Sequence, residues 1–499
     1  MQPGGIKTKA LRILKQRKSK EKLKHEALPT TNLDESIVGW QSQDDPEMPF
    51  NFSQWHKWMW VGLLSTITLL TPFASSILSP AIGDLDKEFG NDNAMVGSFT
   101  VSIYLLGYVI GPIFIAPLSE IYGRKPVLSL ANAFFCLWQI GCALAPNIET
   151  LIVCRFFSGF GGVACLTLGG SIIGDLFRPD QRGFAIGMWN IGPLLGPTIG
   201  PLLGGFLAES IGWRYDFWIV LVPATIVTVL IAFITQETSH KVLMHRKACR
   251  LQKELGRDDL KSCYDDSGNQ STTQILTTGL IRPLKMLFFS PIVFFLSLYI
   301  SFMFGVVYLL YTTIPSVFEE SYGLDVSQTG LVYLALGLGN ILGWIVITFF
   351  SDKLVVKHAQ ANEGVFEPEM RLTISIYFGV FPPITLLWYG WSSFYHVKLA
   401  STIISLIPYG FGIMGLFLGI TTYLVDSYPI YAASAIAANV ILRSLVGALL
   451  PLAGPPMYAS LGLGWGNTLL GLICIVMIPL PVLFYKFGAR LRKAQRVQL

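Results

Sequence analysis

Long runs without charge, broken by short polar links, set the pattern of this chain. Two of them, roughly Ala94–Pro117 and Val127–Ala145, flank Leu118-Ser119-Glu120-Ile121-Tyr122-Gly123-Arg124-Lys125-Pro126. Each is long enough to cross a hydrocarbon core of about 30 Å as a helix. The link is so short that the two helices must lie antiparallel and adjacent. Continued along the chain, the pattern predicts spans at about 57–80, 94–117, 127–146, 150–174, 183–208 and 215–235. After a polar stretch, six more follow at about 287–315, 327–350, 371–391, 399–425, 430–455 and 465–486. The expected fold is an all-α polytopic membrane protein, its twelve helices in two six-helix pseudo-symmetric bundles.

Five segments follow from this division. Residues 1–56 read as a disordered tail, 57–235 as the first bundle and 236–286 as a polar central loop. Residues 287–486 form the second bundle and 487–499 a basic tail. Duplicated halves suggest a transport pathway between them. Trp55, Trp58 and Trp60 suit a membrane interface where the first span begins.

Composition agrees. Of 499 residues 52% are hydrophobic and only 13% charged, whereas soluble domains carry about 25% charged residues. Basic residues gather in the links on one side: Arg124 and Lys125, Arg178 and Arg182, the central loop, Lys353 and Lys357. The other side offers Lys87, Arg214 and Lys398 among Asp84, Asp86, Glu88, Glu209, Glu319 and Glu320. Basic residues are retained in the cytoplasm, so both termini are expected there. The lysines and arginines of the two tails fit anchoring near anionic lipid better than binding to nucleic acid. Asn51-Phe52-Ser53 and Asn269-Gln270-Ser271 are glycosylation sequons on the wrong side for use.

Catalytic and cofactor signatures are missing. The seven cysteines show no ligand spacing, so neither a disulfide framework nor a metal site is expected. Without a Gly-Lys dipeptide there is no phosphate-binding loop, and HExxH and GxSxG are absent. Two runs, Gly159–Ala164 and Gly410–Gly415, match a loose dinucleotide pattern, but they lie inside spans and read as helix packing. An enzyme is therefore not expected, nor any cofactor.

Polar positions inside the spans carry the candidate chemistry. The fifth span holds Gly192-Pro193, Gly196-Pro197, Gly200-Pro201 and Gly204. This four-residue period puts the glycines on one face, where a neighbouring helix can approach backbone to backbone. The prolines loosen the helical ladder, which suits a helix that rocks against its neighbour, so this ridge is expected to be the seam on which the two bundles slide. Arg155 and Arg443 lie within spans, so each needs a polar surrounding, as a structural clamp or in the pathway. No Asp, Glu or His stands out at mid-depth to carry a proton. Tyr308, Tyr311, Asn340, Tyr409 and Asn439 would suit a cavity for a mid-sized, partly apolar molecule.

These motifs together resemble the major facilitator superfamily over residues 38–490. The hinge at Leu118–Lys125 resembles its signature between spans 2 and 3, with Ala116, Glu120 and Ile121 replacing the usual Gly, Asp and Arg. Arg155 with Gly159 resembles the signature of span 4, and the Gly-Pro series that of antiporters. Asp44-Asp45-Pro46, Gly212-Trp213-Arg214, Glu237-Thr238, Ala437-Ala438-Asn439 and Arg443-Ser444 resemble the fungal twelve-span drug:proton antiporters.

The resemblance implies a plasma-membrane exporter of drugs, toxins or secondary metabolites that exchanges substrate for protons by alternating access. It would act as a monomer, with the small-molecule substrate, protons and the lipid bilayer as its partners. Glu120, Gly123, Arg124, Lys125 and Asp175 would form a lock at the cytoplasmic ends of the spans that holds the outward-open state. Uptake, polyamine transport and a non-transporting sensor are the alternatives.

Overall fold

The computed structural model describes residues 29–264, 272–362, 367–428 and 432–494. The N-terminal lysine and arginine cluster, Asn269 and the last five residues lie outside them. Among the described residues two compact units emerge, one of 29–52 with 240–264 and one of 53–239 with those from 272 onward.

In the larger unit, helices form where the apolar runs stood. Spans 1 to 6 are Gln54–Phe89, Ala94–Tyr122, Arg124–Ala143, Ile148–Leu176, Pro179–Ile211 and Tyr215–Ile234. Spans 7 to 10 are Pro291–Tyr322, Val326–Ala361, Pro368–Phe394 and Leu399–Ser427. The last stretch, Ser434–Arg492, is 59 residues long, enough for two crossings at about 20 residues each. Gly462 divides it into spans 11 and 12, with a φ of 72° that glycine adopts at little cost.

The neighbours of each helix show the duplication. In the first half span 1 packs on span 5, span 2 on span 4 and span 3 on span 6. Span 7 packs on span 11, span 8 on span 10 and span 9 on span 12 in the same way. The two bundles meet through spans 5 and 8 and through spans 2 and 11. The face bearing the link between spans 2 and 3 is called the hinge face below, and the other the far face.

The smaller unit corrects two expectations. Within the stretch read as a disordered tail, Ile37–Val38 pair in parallel with Lys261–Ser262 from the central loop. That loop contributes a helix, His240–Leu255, and a second helix, Thr272–Phe289, belongs to the larger unit. Trp40, Met48 and Met244 form a buried cluster, and the Trp40 indole donates to Tyr264 Oη at 3.2 Å. Asp45 accepts from the amides of Gln41 and Glu47 and lies 3.6 Å from Lys247 Nζ. Burial works against its charge, but these donors outweigh it and hold the carboxyl below the usual carboxylate range. The apolar residues of the tail are too few to show a local period. Their burial depends on residues some two hundred positions away.

Candidate functional site

Gly123 ends span 2 and precedes the first turn of span 3 with a φ of 107°. A Cβ there would fall on the Glu237 carboxylate. Only glycine satisfies both conditions. Glu237 Oε1 accepts from the amides of Arg124 at 2.8 Å, Thr238 at 3.0 Å and Ser239 at 2.9 Å. Its Oε2 accepts from the Lys125 amide at 3.2 Å. First-turn amides have no partner within their own helix, and the positive helix end favours an anion. The end of span 6 is thereby fastened to the start of span 3.

Arg124 completes the fastening. Its Nη1 donates to Ser119 Oγ at 2.6 Å and its Nε to Asp175 Oδ2 at 3.4 Å, so it reaches the ends of spans 2 and 4. Glu120 was expected in this lock, but it is exposed and has no ion pair among the described residues. Glu237 stands at the hinge instead. Glu237→Ala leaves the Arg124 and Lys125 amides unsatisfied, at about 1–3 kcal/mol each. We expect a clearly lowered melting temperature for the purified protein, and almost none of that effect from Glu120→Ala.

The second bundle repeats the device. Arg371 Nε lies 3.1 Å from Asp426 Oδ2, joining the start of span 9 to the end of span 10. Glu369, 2% exposed, accepts from Arg492 at the end of span 12. Sequence reading did not single out Arg371, Glu369 or Arg492 for this role. The duplication is the signal that finds them, because Arg371 opens span 9 as Arg124 opens span 3.

The Gly-Pro helix differs from expectation in its neighbour. Gly192 faces Leu69 N, Gly196 faces Leu69 O, Gly200 faces Phe73 O and Gly204 faces Ile77 O. All four contacts are with span 1 of the same bundle. The expectation that this ridge is the seam between the two bundles is therefore not met. The other bundle meets the opposite side of span 5, where Thr198 lies against Gly337 and the Pro201 carbonyl near Gly330. Pro201 has no N–H to bond the Pro197 carbonyl one turn back, and Ser76 Oγ donates there at 3.0 Å. Pro193, half-buried in the same helix, likewise has no N–H to give. Both dinucleotide-like runs are packing faces: Gly159 lies on the Tyr104 carbonyl and Gly410 on that of Leu336.

The two bundles touch at the far face. The Ser327 amide donates to Glu209 Oε2 at 2.9 Å, and Gly205 lies on the Val326 carbonyl. Toward the hinge face span 5 keeps contacts with span 1, Phe184 with Trp58 and Trp189 with Thr68, but Phe184 is 69% exposed and nothing lies within 4 Å of a Cβ at Gly187.

Arg155 is fully buried. Its guanidinium donates to the carbonyls of Thr100, Ala74, Ser75 and Val101 at 3.0, 2.7, 2.8 and 3.3 Å. It thus clamps spans 1 and 2 to span 4 with neutral acceptors alone. Among the described residues the acid on this side of it is Asp216 in the first turn of span 6, whose neighbour Phe217 has its ring 5.9 Å from the guanidinium. Asp216 is 0% exposed, and neither of its oxygens has a hydrogen-bond partner. Sequence reading passed over Asp216 because it follows Trp213-Arg214 at a helix end, where an acid is ordinarily wet.

Arg443 is held differently. Its Cζ lies 4.8 Å from the Phe304 ring centroid and 4.9 Å from that of Phe417, and its Nε has no hydrogen-bond partner. Of the five cavity candidates, Tyr308 bridges the bundles through Ser75 Oγ at 2.8 Å, and Tyr311 stacks edgewise on it. Tyr409 donates to the Met303 carbonyl and Asn439 to Ser297 Oγ, which ties them into the second bundle. Asn340 is half-buried with its Oδ1 unbonded.

Known proteins agree with this architecture. Residues 64–451 match the Major Facilitator Superfamily. The MFS-type transporter penM of Penicillium rubens is 43% identical over 466 residues, covering 93% of this chain and 91% of that protein. The efflux pump radE of Floropilus chiversii is 38% identical over 467 residues, covering 93% and 86%. The xylose transporter XylE from E. coli, in a partially occluded inward-open conformation, aligns with a TM-score of 0.63 at 17% identity. That alignment covers 87% of this chain and 99% of XylE, a likeness of fold. With two equivalent bundles, paired charged hinges and this match over most of its length, the chain belongs to the Major Facilitator Superfamily and is a multi-pass membrane transporter.

Proposed function

We propose that this transporter exports small amphipathic organic compounds by alternating access, in exchange for protons. In this reading it sits in the plasma membrane as a monomer, with the hinge face and both termini in the cytoplasm. One observation supports it above the others. The bundles are joined at the far face through spans 5 and 8, while toward the hinge face Phe184 of span 5 is exposed and open space lies at Gly187. That is one of the two end states an alternating carrier must visit, the one open to the cytoplasm.

Arg443 stands at the substrate position in this reading. A guanidinium between two aromatic rings offers donors to a polar group and flat surfaces to an apolar body. A polyamine would meet a like charge there, which counts against that alternative. Arg443→Ala should cut export at least tenfold or change the range of exported compounds, while Lys398→Ala in an exposed link leaves both unchanged. Equal effects of the two would demote Arg443 to packing.

The overall reading is tested by deleting the gene and comparing compounds retained in cells with those in the medium. Deletion should raise retention, and a protonophore should do the same to the parent strain. Export that persists after the proton gradient collapses rejects proton exchange, and uptake of a labelled compound down that gradient favours an importer.

A further inference from the structure

A proton exchanger needs a group that gains and loses its proton within the cycle, and the fully buried carboxyl in the first turn of span 6 meets that need. We propose that Asp216 carries the coupled proton, and that Arg155 passes its charge state to the contact between the bundles at Ser75 and Tyr308. The proposal rests on the proton-exchange reading above.

Three observations carry it. First, Asp216 is 0% exposed with neither oxygen hydrogen-bonded. An ionised carboxylate in such a place is strongly disfavoured, whereas a neutral acid is tolerable. Second, all four hydrogen bonds of Arg155 go to backbone carbonyls and none to Asp216. The clamp does not require Asp216 to be charged, so the arrangement seen here suits the protonated form. Third, the clamp includes the Ser75 carbonyl, and the Ser75 hydroxyl pairs with Tyr308 Oη of the other bundle at 2.8 Å. One residue is gripped by the arginine at its backbone and by the opposite bundle at its side chain.

The surroundings leave Arg155 as the charge that matters. From span 4 it is the one charged group acting on Asp216 among the described residues. Span 2 brings Tyr104, whose ring lies 5.2 Å from the guanidinium. Span 3 brings the thiol of Cys142, and span 4 that of Cys154, both within the apolar cluster that also holds Trp213 and Phe217. Span 1 brings Ala74 and Ser75, which do not titrate. Glu209 at the end of span 5 is engaged by the Ser327 amide, and Arg214 in the preceding link pairs with Glu88.

The step is a proton transfer. In the outward-facing state, with the far-face seal open, the Asp216 carboxylate takes a proton from the outside. The acid formed is neutral and can be sealed behind Trp213 and Phe217 as the far face closes. When the proton leaves on the cytoplasmic side, the restored carboxylate attracts Arg155 away from the Ala74 and Ser75 carbonyls. Span 1 is then free to part from Tyr308.

The test needs no substrate. Spin labels on Ile211→Cys and Leu331→Cys, both exposed at the far face, report its opening in the full-length protein held in lipid nanodiscs. Cys249 and Cys263 are replaced by serine beforehand. The distance should change as the pH is moved from about 5 to about 8, the range a coupled group must cross. Asp216→Asn should hold the low-pH distance throughout, and should remove the infrared carbonyl band of a buried protonated acid. Tyr308→Phe should abolish the distance response while keeping that band. A wild-type response retained in Asp216→Asn overturns the proposal and leaves proton exchange standing. A wild-type protein that shows no response to pH rejects proton exchange itself. Should Asp216→Asn not fold, Tyr308→Phe decides: an undiminished response there overturns the route through Ser75.

Discussion

Replacing Arg155 by alanine is expected to remove the folded transporter from the membrane. The substitution strips donors from the carbonyls of Ala74, Ser75, Thr100 and Val101, all in a buried setting. The carbonyls of Ala74 and Ser75, in the last turn of the helix Gln54–Ser76, lose their donor at about 1–3 kcal/mol each, while those of Thr100 and Val101 keep the helical amides of span 2. Membrane proteins are held by margins of this size, so a loss of several kcal/mol is decisive. Arg155→Lys should restore little, because one ammonium has three donors at a point and cannot reach carbonyls on two helices as a planar guanidinium does. The measurement is the fraction of protein that elutes as a monodisperse species from detergent, with Lys398→Ala as the unaffected control. Normal yield of Arg155→Ala would show that the clamp contributes little to the fold.

The second large effect is expected on the Gly-Pro helix. A Cβ at Gly204 would fall on the Ile77 carbonyl oxygen, and one at Gly200 would lie 2.8 Å from that of Phe73. Backbone atoms cannot step aside as a flexible side chain can, so span 5 must move off span 1. Overpacking of this kind costs about 1–3 kcal/mol for a methylene in a tolerant core and more against backbone. Gly204→Val should therefore lower both the melting temperature and the yield, with transport lost as a consequence. The sequence alone suggests another outcome, a stable but immobile carrier, because it reads the ridge as a sliding surface. Since the ridge packs inside one bundle, destabilisation is the expected result. A Gly204→Val protein that is as stable as the parent yet inactive would return the ridge to a role in movement.

Some of the site was legible because its chemistry is local. Gly123, Arg124 and Lys125 stand between two apolar runs, and a hinge so short leaves their placement little freedom. The family resemblance is what pairs Asp175 with Arg124, and both lie at span ends on the same side. Glu237 could not be placed there, since it lies 113 residues from the amide it receives. The ridge of Gly192, Gly196, Gly200 and Gly204 announced a close approach but not the helix approached. Any of several neighbours satisfies a face without side chains, and only the packing of the bundle selects span 1. Tyr409 and Asn439 looked like cavity residues because aromatic and amide groups are plentiful within the spans, where carboxylates are scarce. Their hydrogen bonds to Met303 and Ser297 are instead what makes burial of those groups acceptable.

By itself, then, the sequence determined the number of crossings, the duplication, the short hinges and the absence of a phosphate-binding loop. Those depend on runs of like residues and on spacing, which the bilayer reads one segment at a time. Tertiary structure alone decided that the tail pairs with the central loop, that Glu237 rather than Glu120 holds the hinge, and that Asp216 is buried beside Arg155. Each of these joins groups far apart in the chain, and burial or pairing of that kind is a property of the assembled helices.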